Sequence, residues 1–389
     1  MAQPHPLTFA ESARGTIGLE WELALVDVDS GDLRQVAEPI IEAVAPPGGG
    51  EHPNIKQELL LNTVEVVSGI NTTVDGAATD LDRAIEEIRG ITDPLRVELL
   101  CAGTHPTARW RRQKVTNKQR YATLIDRTQW WGRQMLIYGV HVHVGIEDPA
   151  KVLPIMRALL TVVPHLQALS ASSPFWGGDD TGYASNRALI FQQLPTAGLP
   201  FQFETWGQLE QYVGDMMHTG VIDTFDEVRW DIRPSPRLGT IEVRVCDGTT
   251  NAMELRALAA MVHCLVEHFS RMLDAGEDLP TMPSWFVQEN KWRSARYGMD
   301  AIIITDRAAN EELVTDSVAR WVEDLLPIAR DLGCEQDLAN LRVVLRLGAS
   351  YQRQRAVARR NGGELDAVVG SLIREMRAGR PLPNPARGA

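Results

Sequence analysis

The stretch Thr16-Ile17-Gly18-Leu19-Glu20-Trp21-Glu22-Leu23-Ala24-Leu25-Val26 places apolar residues at every odd position from Ile17 to Leu25, while its even positions include Gly18, Glu20, Glu22 and Ala24. A period of two is that of a β-strand, so this segment predicts a strand with one face fit for packing and both carboxylates on the other. Glu20 and Glu22 then stand roughly 7 Å apart at Cα, a workable spacing for carboxylates sharing one or two hard cations. A solvated edge strand shows the same pattern, so this segment alone leaves both readings open.

Other segments repeat the format. Asp29-Ser30-Gly31-Asp32 supplies turn chemistry, with Leu33 to Val36 expected to return as a hairpin partner. Asn62 to Val67 reads as a strand with Val64 and Val66 on one face and Thr63 and Glu65 on the other. Val97 to Gly103 reads as a short apolar strand. In Gly139 to Ile146 the valines face one way and His141 and His143 the other. Leu238 to Asp247 sets Ile241, Val243 and Val245 against Thr240, Glu242, Arg244 and Cys246. Helices are expected over Val74 to Ile91, with Leu81, Ile85 and Ile88 as the apolar stripe, and over much of Asn117 to Met135. Pro149 to Ser170 should be helical but broken, since it contains Pro154 and Pro164. Asn251 can cap a helix to about Ala275, and the chain past Asp306 reads as mostly helical. These elements predict an α+β fold, an antiparallel sheet with helices on one face and the active site on its open face.

Glu65 and Glu242 each sit alone among apolar neighbours on their strands. Four carboxylates brought together (Glu20, Glu22, Glu65, Glu242) repel one another and raise their own pKa values unless a metal neutralises them. Oxygen ligands with one histidine suit Mg²⁺ or Mn²⁺ better than zinc, and His141 is the expected histidine ligand. Arg187, Arg233, Arg244, Lys291 and Arg293 are the cations expected to hold phosphates or a substrate carboxylate, Arg offering a planar fork for such groups. Most arginines lie on the surface; Arg244 differs because its strand position sets it beside Glu242. The chain has no Walker loop, no dinucleotide-binding glycine motif and no zinc-peptidase or serine-hydrolase signature.

A chain of 389 residues, 44% apolar and 23% charged, is long enough for a large core. A net charge of −12 argues against nucleic acid as a partner. Four cysteines, Cys101, Cys246, Cys264 and Cys334, lie far apart, without metal or disulfide spacing, and read as buried small hydrophobes in a reducing cytosol. The N-terminus shows no leader pattern and no apolar run approaches membrane-spanning length, so a cytoplasmic protein without membrane partners is expected. The expected organisation is an N-terminal tail over residues 1–15, one catalytic domain over 16–378 and a flexible tail over 379–389.

Gly18-Leu19-Glu20-Trp21-Glu22, Asn62-Thr63-Val64-Glu65, Gly139-Val140-His141-Val142-His143-Val144-Gly145, Ser172-Ser173-Pro174-Phe175-Trp176 and Thr240-Ile241-Glu242-Val243-Arg244 occur in the order seen in glutamate–cysteine ligases. The chain resembles the short bacterial carboxylate-amine ligase branch, the glutamate–cysteine ligase type 2 group, from about Thr16 to Arg377. The resemblance implies a glutamine synthetase-like catalytic fold, a curved antiparallel funnel with outer helices. It implies ATP and Mg²⁺ bound through Glu20, Glu22, Glu65, Glu242 and His141. It adds Glu58 as a further acidic ligand, although its odd spacing from Glu65 requires a bulge or loop between them. Arg233 and Arg244 would serve phosphate or substrate carboxylate, with Lys291, Arg293 and Arg187 at the phosphates. The implied reaction joins a carboxylate, by default glutamate, to an amine, by default cysteine, through an acyl phosphate, with loops such as Trp176 to Arg187 setting the amine. A metal-dependent phosphotransferase or ATP hydrolase, or a non-catalytic metal-binding protein, would use the same cluster. A homodimer is the default assembly.

Overall fold

The computed structural model describes residue 3 and residues 5–383. The last part of the expected C-terminal tail, 384–389, lies outside the described residues, as do Met1, Ala2 and Pro4 of the N-terminal one.

Eleven strands occur among the described residues: β1 (Ile17–Asp27), β2 (Ile55–Gln57), β3 (Thr63–Val67), β4 (Val97–Leu100), β5 (Val140–Gly145), β6 (Phe175–Trp176), β7 (Asp179–Asp180), β8 (Ile232–Ser235), β9 (Thr240–Val243), β10 (Ile302–Ile304) and β11 (Glu311–Leu313). One antiparallel sheet runs β2-β3-β1-β5-β9-β8, with β4 pairing the distal part of β1, and β6-β7 and β10-β11 form two small ribbons. This is the mixed helix and antiparallel-sheet class read from the alternation. The apolar face carries Leu19, Trp21, Leu23, Val64, Val66, Val140, Val142, Ile241 and Val243, all buried. Helices Val74–Thr92 and Ala252–Asp274 pack against this sheet. Removing that surface from water drives the layer together, at about 25 cal/mol per Å² of apolar area.

Several boundaries follow local chemistry. Helix Val74–Thr92 begins where the Thr73 side chain accepts the Gly76 N–H, and helix Ala252–Asp274 where Asn251 accepts the Glu254 N–H at 3.0 Å. Asn251→Ala should cost about 1 kcal/mol of stability, read by urea denaturation, and an unchanged midpoint would deny the cap its role. The proline-containing segment breaks as expected: Val152–Leu159 and Val163–Ser170 are separate helices, the pair being bent by 64°. Pro154 stays in the first turn, where its missing N–H has no helical partner to lose. Helix Gln119–Arg133 is kinked at Gln129, whose φ is 46°.

Other expectations need correction. Leu33 to Val36 does not return as a strand; a single bridge joins Val26 to Leu33. Strand β9 is shorter than expected and ends at Val243, although the Arg244 N–H still bonds the Asp231 carbonyl at 2.8 Å. Strand β8 went unread because it is short and contains Pro234, a residue confined to sheet edges, and β8 is the edge. The segment expected as an N-terminal tail lies against the body: the Ala10 N–H bonds the Pro236 carbonyl at 2.8 Å, and Arg14 reaches Glu267 at 2.9 Å and Asp274 at 2.5 Å. All four cysteines are buried and free. No single helix among the described residues is long and apolar enough to cross a membrane.

Candidate active site

Strand register assembles the site. Residues directly opposite each other on an antiparallel pair project to the same face. Here Glu22 faces Glu65 across β1 and β3, and Glu20 faces His141 across β1 and β5. His143 faces Glu242 across β5 and β9, and Arg233 faces Glu242 across β8 and β9. A row of carboxylates, imidazoles and guanidiniums thus crosses five strands on the face opposite the core. Above it lies a cavity of about 860 Å³, lined by Glu20, Glu22, Glu58, Glu65, His141, Arg187, Arg233 and Arg244 among others. A neighbouring cavity of about 880 Å³ shares Glu20, Glu58, Glu65 and His143 with it and has more apolar walls, including Ile41, Ile55 and Ile70.

Glu58 joins the row from the turn between β2 and β3, so the odd spacing from Glu65 is resolved by a loop. Its carboxylate accepts the Leu59 N–H at 3.1 Å. Glu20 accepts from His141 Nδ1 at 2.7 Å and His143 Nε2 at 3.2 Å. Glu242 pairs with Arg233 Nε at 2.5 Å and with Arg244 Nη1. Glu22 accepts the Gly139 N–H at 2.5 Å.

Electrostatics divides the carboxylates into two sets. Burial pushes Glu20 upward, but the hydrogen bonds from His141 and His143 outweigh it and hold Glu20 well below the usual carboxylate range. Glu242 is likewise held low, burial being overcome by Arg244 and Arg233. Burial and the charge of Glu58 push Glu22 up to about 7. Glu65 is driven well above the ordinary value by burial and by Glu20, Glu58 and Glu22, and burial also raises Glu58. His141 is pushed down to about 4 by burial and by Arg244, so its imidazole is neutral at pH 7. His143 is raised, because Glu242 and Glu20 outweigh its burial.

A hard cation fits this arrangement. Donor atoms of Glu20, His141 and Glu242 all lie within 4.8 Å of one another. Glu22, Glu58 and Glu65 are further acidic groups raised by burial, and Glu22 and Glu65 also by neighbouring carboxylates, a cost that a bound cation would relieve. Glu22 is raised on folding, so its contribution to stability is fully present below its ordinary 4.5 and is lost as pH rises through about 7. Metal-free protein should therefore melt lower at pH 8 than at pH 5.5, and Mg²⁺ should raise the melting temperature more at pH 8. Equal Mg²⁺ shifts at both pH values would contradict the cluster.

Two expected cations do not reach the cavity. Lys291 is buried in an ion pair with Asp231 at 2.5 Å, because its helix, Ser284–Tyr297, points it at the chain just before β8. Arg293, two positions on, turns to the surface and pairs with Glu289 at 2.9 Å and Glu311 at 2.5 Å. Arg187 lines the cavity from the short helix Asn186–Phe191. Sequence reasoning missed Arg120, Arg229 and Arg237, which also line it. None lies on an alternating segment, so no periodicity marks them. Arg229 and Arg237 flank β8, the strand that Pro234 disguised.

The profile described as glutamate–cysteine ligase family 2 matches residues 16–371. The chain belongs to that family. A protein of Arthrobacter sp. (strain FB24), provisionally named glutamate–cysteine ligase 2-1, is 57% identical over 378 residues, covering 96% of this chain and 99% of the relative. A Mycobacterium ulcerans (strain Agy99) protein, provisionally named glutamate–cysteine ligase 2, is 57% identical over 95% of this chain and 93% of its own. The fold is shared with a Francisella tularensis glutamate–cysteine ligase solved in complex with AMP: TM-score 0.67 at 12% identity, over 97% of this chain and 91% of that one. A bifunctional glutathione synthetase from Pasteurella multocida gives 0.66 at 14% identity, over 94% of this chain and 52% of that one. Within the glutamate–cysteine ligase family 2 frame, the alternating strands of the sequence are the strands that carry the polar row.

Proposed function

We propose that this family 2 protein is an ATP-dependent ligase that joins a carboxylate, by default glutamate, to an amine, by default cysteine. The observation that carries the reading is the continuous row from Glu65 to Arg233 along one sheet face, with carboxylates and guanidiniums lining one cavity. A carboxylate is a poor acylating agent. Its oxygen attacks the γ-phosphorus of ATP and ADP departs, leaving an acyl phosphate. The amine nitrogen then bonds to the acyl carbon, sheds its proton, and inorganic phosphate leaves. Charge neutralisation and positioning dominate such chemistry, and the chain needs no covalent nucleophile.

Glu20, His141 and Glu242, with Glu22, Glu58 and Glu65, are the residues proposed to hold Mg²⁺. Bound there, Mg²⁺ would neutralise charge on the phosphate oxygens. Arg233 and Arg244 are paired with Glu242, Arg233 Nη1 also bonding the Asp226 and Val228 carbonyls, and both side chains line the cavity, where they are proposed to bind phosphoryl oxygens. Glu20 keeps both imidazoles in place through His141 Nδ1 and His143 Nε2. The test is ADP release from ATP, Mg²⁺ and glutamate, with and without a panel of amines. Amine-dependent release with a matching amide product is expected. Amine-independent release would identify an ATP hydrolase, and no nucleotide binding would make the cluster structural.

A further inference from the structure

Asp247 lies fully buried beyond the end of β9 and outside the cavity lining. Its carboxylate is held by serines. Oδ2 accepts the Ser172 N–H at 3.0 Å and the Ser173 hydroxyl at 2.6 Å, and Oδ1 accepts the Ser185 hydroxyl at 2.8 Å. An ionised carboxylate accepts on both oxygens and donates on neither, so it can satisfy all of these donors at once.

Both hydroxyls pass the restraint on to the short helix Asn186–Phe191. Ser173 Oγ accepts the Arg187 N–H at 3.0 Å, and Ser185 Oγ, at the N-cap, accepts the Ala188 N–H at 3.3 Å. Asp247 therefore fixes, through two serine relays, the first turn of the helix that carries Arg187 to the cavity wall. Two glycines clear the space: a Cβ at Gly103 would lie 2.5 Å from Asp247 Oδ2, and a Cβ at Gly139 would collide with the Arg187 guanidinium. Gly139 also bridges to Asp247 along the main chain and donates its N–H to Glu22, so the carboxylate row, Arg187 and Asp247 meet at one junction.

The guanidinium itself is loosely tethered. Its Nη1 and Nη2 lie 3.4 and 3.5 Å from the Arg244 carbonyl, and its Nε has no hydrogen-bond partner. Its placement is set by where the helix starts and by two carboxylates that are its electrostatic neighbours, Glu22 on the cavity wall and Asp247 outside the lining. Burial raises the Asp247 carboxyl, and Arg187 is the strongest influence in the other direction, so each charge relieves the other.

We propose that Asp247 is a positioning residue of the ligase reaction: it aims Arg187 at the anionic reactants by holding Ser173 and Ser185 and by balancing the guanidinium charge. This rests on the ligase reading and adds to it a residue that touches no reactant. The experiment is a double-mutant cycle in kcat/KM between Asp247→Asn and Arg187→Gln, with the KM for ATP, glutamate and amine each measured and the fold checked by circular dichroism. Asp247→Asn removes the anion and leaves a buried serine hydroxyl without an acceptor. It should lower kcat/KM by about 100-fold, the scale of misplacing an orienting group by roughly 1 Å. Arg187→Gln should lose at least as much, and the double variant should stay within about 3-fold of Arg187→Gln, because Asp247 then has nothing left to position. The kinetic parameter that moves in Arg187→Gln should be the one that moves in Asp247→Asn, which a merely structural role would not produce. Should Asp247→Asn fail to fold, Ser173→Ala and Ser185→Ala, each breaking one relay, should each cost about 10-fold and show the same coupling to Arg187→Gln. Losses that multiply in the double variant, a rise in the KM of a different substrate, or wild-type kcat/KM in folded Asp247→Asn or in both serine variants would each overturn the assignment. A wild type inert toward every carboxylate and amine pair would instead refute the ligase reading on which it stands.

Discussion

Glu242→Gln is expected to lower kcat by about 10³-fold, the scale of losing a preorganised electrostatic contact at a reacting phosphoryl group. Glu242 is the one carboxylate of the row that holds two guanidiniums, Arg233 at 2.5 Å and Arg244 beside it, while standing within reach of Glu20 and His141 as a cation donor. The amide keeps the shape but removes the charge, so Arg233 and Arg244 lose their ion pair, Arg233 keeping only the Asp226 and Val228 carbonyls, and the cation donor set loses a ligand. Steady-state ADP release measures the effect, with circular dichroism to confirm the fold. Activity within tenfold of wild type in a folded variant would show that the row is structural.

Arg353→Met should cost about 3–5 kcal/mol of unfolding free energy, the penalty for leaving buried charges without a partner. Arg353 joins helix Ser350–Arg360 to Glu254 on helix Ala252–Asp274 and to Glu375 on helix Asp366–Ala378, with Thr250 bonding Glu375 at 2.8 Å. These residues lie outside the cavity lining, so catalysis should survive wherever the variant folds. Urea denaturation reads the loss. The triple change Arg353→Met, Glu254→Leu, Glu375→Leu should recover most of it, since an apolar replacement of a whole buried ion network is often near neutral. A single variant as stable as wild type would mean that the two glutamates find other partners.

Much of the sheet was legible because alternation is a local property. Strand β1 was expected over Thr16 to Val26 and forms over Ile17–Asp27; helix Val74–Thr92 extends the expected span by one residue. The carboxylates Glu20, Glu22, Glu65 and Glu242 were legible for the same reason: a charged residue on an otherwise apolar strand declares its face. Strand β8 was not, because four residues with a proline carry no period. The cations were least legible. Lys291 and Arg293 are two residues apart on one helix, yet one is buried against Asp231 and the other faces solvent, and both miss the cavity.

By itself, the sequence determined which residues share a strand face, since side chains alternate with period two whatever the strands pair with. Tertiary structure decided which strands are neighbours, and so that Glu20 meets His141, that Glu242 meets Arg233, and that Glu58 enters the row from a loop. It also decided that Arg353 is paired with Glu254 and Glu375 among helices, while Arg187 lines the cavity beside Glu22 and Asp247. Charge compensation depends on distances between residues far apart in the chain, and those distances are set only when the sheet and its helices close.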